Sequence, residues 1–359
     1  MTLELPPLML AQTVAGAMVL LLVLVIVVVA VYVGLIEWRY SAEVARMLRQ
    51  APVFRPLRGE PDPGGEEVRF RTEDGLQLAG TYYRALTDRR RGVVVFCHEF
   101  LGDRHGAYEY VGALREEGFD LFAYDSRNHG DSDAEPGYEV IHWVSDREVR
   151  DLRAALAYLR SRPDRDPAGV ALFGVSRGGG TALCVAGEDP TVWAVVTDGA
   201  FPTAITMLHH IRRRAVILIH EVTARLMPRV AFEYVVWSVR RRLERQLGRR
   251  FPSIERAVKR IPPRPWLAIH GGSDGYIEPG VLEELVRAAD GAGSVTVWLV
   301  AGAKHNQCRE VAGEEYRRRV AEFLRSAAPR RIVEDATEVA GSAVAESGRP
   351  EVEAVAARG

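Results

Sequence analysis

The chain has 359 residues, and its 47 Lys and Arg stand against 48 Asp and Glu for a formal net charge of −1. That balance excludes the broadly basic surface on which non-specific nucleic-acid binding rests, so no nucleic-acid partner is expected. Cys97, Cys184 and Cys308 are odd in number and spaced like neither a zinc site nor a disulfide framework; they are expected as free thiols, which favours a reducing compartment.

No residue from Thr13 to Ile36 is charged, and Val19 to Val33 is almost wholly Leu, Val and Ile. As a helix that stretch spans a bilayer core, which takes about 20 apolar residues. Trp38 and Tyr40 follow where an interfacial aromatic belt would sit. A cleaved signal would carry basic residues before a shorter apolar core. The N-terminal flank here holds Glu4 and no Lys or Arg, which favours a retained anchor over residues 1–40. Arg39, Arg46, Arg49, Arg55 and Arg58 all follow the span. The excess of basic residues on that side places the rest of the chain in the cytoplasm. Residues 41–65, rich in Pro and Gly from position 51, read as a linker.

Glu66 to Arg71 alternates, Asp74-Gly75 turns, and Leu76 to Tyr83 alternates again, which is the pattern of a β-hairpin. Gly92 to Cys97 is a short β-branched run, residues 104–117 suit a helix, and Phe119 to Tyr124 is a second apolar strand. Val149, Leu152, Leu156 and Leu159 share one face of a helix over 146–160. Further strands are expected at Val170–Phe173, Val192–Thr197, Trp266–Ile269 and Val295–Leu299, with helices between. Strand and helix alternate throughout 66–327, so the fold class is α/β: a mostly parallel central sheet with helices on both faces. Residues 328–359 have no aromatics and much Ala, Glu, Val and Gly, and read as a disordered tail.

In sheets of this kind, sites form at the carboxyl ends of strands. After the Val170 strand comes Gly174-Val175-Ser176-Arg177-Gly178, with Gly179 and Gly180 behind it. A serine on a tight strand-to-helix turn needs small neighbours to let the chain pass, and the turn aims the N–H of Arg177 at a developing oxyanion. Its hydroxyl is a poor nucleophile at neutral pH and needs a base. Asp274 follows the strand ending at Ile269, and His305 follows the next strand; His305 is the only histidine after Asp274. Asp198, also just past a strand, is the rival acid. His270 reads as a shaper of the acid loop, and His209, His210 and His220 as surface or lid residues. After the Gly92 strand, His98-Glu99-Phe100 offers the N–H of Phe100 as a second oxyanion donor beside that of Arg177.

These motifs, with Asp125-Ser126-Arg127-Asn128-His129-Gly130-Asp131-Ser132, resemble the α/β-hydrolase superfamily over residues 66–327, in particular its esterase, lipase and thioesterase branch. The resemblance implies an α/β-hydrolase fold with a helical lid. It implies a serine hydrolase that cleaves carboxylic esters through an acyl-enzyme, with Ser176, Asp274 and His305 as catalytic triad and with no cofactor or metal. The substrate expected is a small-molecule or lipid acyl compound. Thioesters and amides suit the same machinery, and peracid formation shares the triad; a non-catalytic scaffold would not need to keep all three residues. Family members usually carry Gly where this chain has Glu99, and that carboxylate is expected to turn away from the oxyanion, toward an arginine. The lid is expected at 200–262 as two helices, Ile205–Leu226 and Arg229–Leu247. Arg240, Arg241 and Arg242 give it a basic face, which is either a second membrane contact or the solvated face of an ordinary cap.

Overall fold

The structure, a computed structural model, describes residues 7–50, 56–219, 221–289 and 294–329. The charge-free run lies inside one unbroken helix, α1 (Pro7–Arg49), long and apolar enough to cross a membrane. The helix does not stop at Tyr40. Ser41, Val44, Ala45 and Leu48 are buried, and Trp143 Nε1 donates to the carbonyl of Leu48 at 2.7 Å. The first nine residues of the expected linker are therefore helical, because continuing the helix packs Val44 and Leu48 where an extended linker would expose them. Residues 51–55 of that linker, and the expected tail from residue 330 onward, lie outside the described residues.

β1 (Glu66–Arg71) and β2 (Gln77–Tyr83) form the expected hairpin around the Asp74-Gly75 turn, with Gly75 at φ +92°. β3 (Gly92–Cys97), β4 (Phe119–Tyr124), β5 (Val170–Val175), β6 (Val192–Asp198) and β7 (Trp266–Gly271) are buried at every position, as strands covered on both faces must be. β8 (Val295–Val300) closes one edge. The sheet runs β1-β2-β4-β3-β5-β6-β7-β8; the β1–β2 and β2–β4 pairings are antiparallel and the others parallel.

Between β3 and β4 the expected helix is cut short to α2 (Ala107–Val111), flanked by 3₁₀ turns. At its start Gly106 lets the chain pass close to the Leu57 carbonyl, where a Cβ would sit 3.0 Å from that oxygen. α3 (Asp146–Ser161) starts with a capping box between Ser145 and Glu148, and α4 (Arg177–Ala186) follows β5 directly. The insert between β6 and β7 holds α5 (Thr203–Leu218), α6 (Glu221–Leu226), α7 (Arg229–Leu247) and α8 (Ile254–Ala257). Its first helix breaks at Ile219, whose extended backbone (φ −132°, ψ 160°) separates α5 from α6. α9 (Pro279–Ala288), α10 (Cys308–Ala312) and α11 (Glu314–Ala327) complete the chain.

Two apolar cores cover the two faces of the sheet, and a third joins the insert to α1 through Val33, Val44, Ala45, Leu48, Phe232 and Val235. Within this third layer Arg240 and Arg241 pair with Glu244, and Arg242 donates to Ser41 Oγ of α1. Arg240 and Arg242 are partly buried by these contacts, whereas Arg241 stays exposed.

Candidate active site

Ser176 stands between β5 and α4 at φ 51°, ψ −114°, a strained conformation for a residue with a side chain. Its neighbours show why the turn needs glycine. A Cβ on Gly178 would lie 2.1 Å from the Cys97 carbonyl oxygen, and one on Gly174 would lie 2.5 Å from that of Gly178. The Ser176 N–H donates to Asp198 O at 2.7 Å, which pins the elbow to the end of β6.

Three residues far apart in sequence meet here. Ser176 Oγ is 2.9 Å from His305 Nε2, and His305 Nδ1 is 2.7 Å from Asp274 Oδ2. Asp274 Oδ1 accepts the N–H groups of Tyr276 (2.9 Å) and Ile277 (2.8 Å). Burial would raise the Asp274 carboxyl, but the hydrogen bond and charge of His305 and the Ile277 N–H outweigh it and hold the group below its usual range. The carboxylate therefore fixes Nδ1 as the protonated nitrogen and leaves Nε2 able to accept a proton from Ser176. His270 is buried with Nε2 2.9 Å from Ile277 O, at the base of the acid loop and not on the nucleophile.

Asp198 is fully buried and makes no hydrogen bond to His305. Its Oδ2 accepts from Tyr316 Oη at 2.9 Å, and burial pushes its carboxyl up to about 6, against the lowering pull of Cys308 and Tyr316. Geometry thus pairs His305 with Asp274 and leaves Asp198 beneath the site.

Arg177 is the first residue of α4, so its N–H lies in the first turn, which has no helical carbonyl to accept it. Phe100 packs beside it, with the Arg177 guanidinium 5.5 Å from the ring centroid. The Arg177 side chain is buried and donates to Ile141 O (3.1 Å) and His129 Nε2 (3.0 Å). Burial and the Arg177 charge push His129 down to about 2, so it accepts as a neutral ring. His98 bridges the two loops, with Nδ1 2.7 Å from Glu99 O and Nε2 accepting the Ser126 N–H at 3.1 Å. The loop after β4 is fastened by charge: Arg127 and Asp151, both fully buried, meet at 2.6 Å, and Arg104 binds Asp125.

Glu99 does not turn toward an arginine. Its Oε1 accepts the backbone N–H of Leu57 at 2.7 Å, and it lines, with Asp274, Tyr276 and His305, a cavity of about 860 Å³. Burial pushes this carboxyl up to about 7, so at neutral pH it carries only part of the negative charge that would oppose an oxyanion. Sequence reasoning had no signal for Leu57, nor for the aromatic wall beside His305. There the Tyr276 ring lies 5.5 Å from that of His305 and 5.3 Å from that of His210, which therefore faces inward.

The family model for the alpha/beta hydrolase fold matches residues 92–218. An uncharacterized protein of Mycobacterium tuberculosis, Rv2307c, is 30% identical over 244 residues, covering 68% of this chain and 73% of that protein. The chain belongs to the α/β-hydrolase family. The thiohydrolase aneE of Aspergillus aculeatus is 30% identical over 132 residues, 36% of this chain and 40% of that one. Among solved structures, the Pyrococcus furiosus esterase Pf2001 superposes with a TM-score of 0.56 at 20% identity, over 78% of this chain and 97% of the esterase. At that identity the likeness speaks for the fold.

Proposed function

We propose that the chain is a serine hydrolase that cleaves carboxylic esters of acyl or lipid-like compounds, held at a membrane by α1. The observation that carries the reading is the hydrogen-bonded relay from Ser176 Oγ through His305 to Asp274. In it, Oγ attacks the ester carbonyl carbon as His305 Nε2 takes its proton. The N–H groups of Arg177 and Phe100 receive the oxyanion. Collapse breaks the bond to the alcohol, which leaves with the proton from His305. Water then repeats the sequence on the acyl-enzyme, and the acid departs with Ser176 restored.

Retention of α1 is supported by its far end. Signal cleavage near Ile36 would sever a helix whose continuation, through Val44 and Leu48, belongs to the folded core. The five arginines after the span put the hydrolase domain in the cytoplasm under the same reading. An intact N-terminus on protein extracted from membranes, measured by mass, is the expected result; a chain beginning after residue 30 contradicts it.

Thioester cleavage is the second reading, favoured by the similarity to a named thiohydrolase. Comparing kcat/KM on paired oxygen esters and thioesters of rising chain length separates the two. Turnover of either series that persists in Ser176→Ala would refute both.

A further inference from the structure

The insert carries more exposed apolar surface than a soluble cap needs. Ile217 at the end of α5 and Leu226 at the end of α6 are each 78% exposed, and Val230 at the start of α7 is 67% exposed. Val222 is exposed as well. All four lie on the short connection (the tip) in which α6 joins the end of α5 to the start of α7, with α5 packed on both. Singly exposed apolar side chains are ordinary, but a cluster of this kind marks a contact surface.

The height of the tip follows from the packing of α7 on α1. Ser238 bonds Glu37 and Arg242 bonds Ser41, each pair 201 positions apart in the chain. Equal offsets mean that the two helices run parallel and in step. Val230 then stands level with Val29, which is seven residues, about 10 Å, inside the charge-free run ending at Ile36. By the same register Trp237 stands level with Ile36. Trp237 is 57% exposed and stacks on Tyr234 at 5.9 Å, while Trp38 of α1 is 82% exposed at nearly the same height. Aromatic side chains on two helices therefore mark one level, as they do where a protein crosses a membrane interface. Charged residues near the tip already have partners: Arg225 pairs with Glu221, and Arg229 pairs with Glu233 and Glu284.

Between α1 and this insert lies a narrow, mainly apolar slot of about 50 Å³, lined by Ile36, Tyr40, Val44, Ile211, Ala215 and Phe232, with Glu37 and Arg214 also on its wall. His210 lines it too, with its ring 5.3 Å from that of Tyr276, which in turn lies 5.5 Å from that of His305. Burial and the neighbouring Arg214 and Arg213 push His210 down to about 4, so its ring is neutral at neutral pH and faces the Arg214 guanidinium, which also lines the slot, at 3.2 Å.

We infer that the tip formed by Ile217, Val222, Leu226 and Val230 inserts into the same bilayer leaflet as the end of α1, and that the slot between them admits the acyl chain of a lipid ester sideways from that leaflet. The bilayer is the occupant because the apolar tip continues the apolar span at its own depth. The slot's use rests on the hydrolase reading above, whereas the insertion of the tip does not.

Two measurements on the full chain in phosphatidylcholine vesicles test this. In the first, Leu226→Cys carries a nitroxide, the native cysteines being buried. Collisional broadening by oxygen above that by an aqueous nickel chelate is expected. Preferential access by the chelate would overturn the insertion. In the second, the triple variant Ile217→Ser, Leu226→Ser, Val230→Ser is compared with wild type on a water-soluble short-chain ester and on a long-chain ester dissolved in the bilayer. Loss of at least tenfold in rate on the embedded ester, with the soluble ester within twofold, is expected. Equal effects on both substrates, or none, would overturn the lateral route. If wild type cleaves neither ester, the hydrolase reading fails, and the nitroxide result still decides the surface.

Discussion

The carboxylate of Glu99 receives the backbone N–H of Leu57 at 2.7 Å, across 42 residues of sequence and beside the proposed oxyanion site. The bond ties the chain leaving α1 to the loop that holds Phe100. Both residues lie on the wall of the cavity that contains His305.

Burial raises this carboxyl from an ordinary 4.5 to about 7. A raised carboxyl binds its proton more tightly folded than unfolded, so its contribution is complete below pH 4.5 and is lost as pH rises through 7. The loss amounts to roughly 3 kcal/mol. Glu99→Gln keeps an acceptor for Leu57 and cannot ionise. The variant is therefore expected to gain stability relative to wild type on going from pH 5 to pH 8, by urea unfolding at each pH. A constant difference between the two proteins would contradict the assignment.

Asp274 and Asp198 are both buried carboxyls near His305, yet only Asp274 touches it. Asp274→Asn is expected to lower kcat about 10⁴-fold by leaving the ring in the wrong tautomer. Asp198→Asn leaves the relay intact, and the amide oxygen still accepts from Tyr316, so kcat is expected to stay within about tenfold of wild type. Esterase kinetics on the two variants would contradict this account if Asp198→Asn were the more damaging.

A methyl group on Gly178 would meet the rigid backbone of Cys97, whereas one on Gly275 would meet open space. Gly178→Ala is expected to destabilise the fold by about 3 kcal/mol or more, and Gly275→Ala by less than about 0.5 kcal/mol. Thermal melts of the two variants give the comparison.

The strands and the relay were legible in the sequence for one reason. Runs such as GVVVFC and VALFGV are buried on both faces, so every position had to be apolar, and chemistry had to stand at their ends. Ser176 was marked by the glycines its turn requires, and His305 by being the last histidine. The fate of Glu99 was not legible, because its partner is a backbone amide and no residue type encodes a backbone amide. The true end of α1 was hidden for a related reason. Val44 and Leu48 look like ordinary linker residues until Trp143, nearly a hundred positions away, donates its indole N–H to the Leu48 carbonyl. The break at Ile219 also escaped, since nothing in an apolar helical run announces an extended residue.

The most direct test of the central claim is labelling of the full chain, in detergent, by a fluorophosphonate, with Ser176→Ala alongside. The account predicts stoichiometric labelling of wild type at Ser176 and none of the variant. A folded wild-type protein that stays unlabelled, or equal labelling of both proteins, would contradict an activated nucleophile at Ser176.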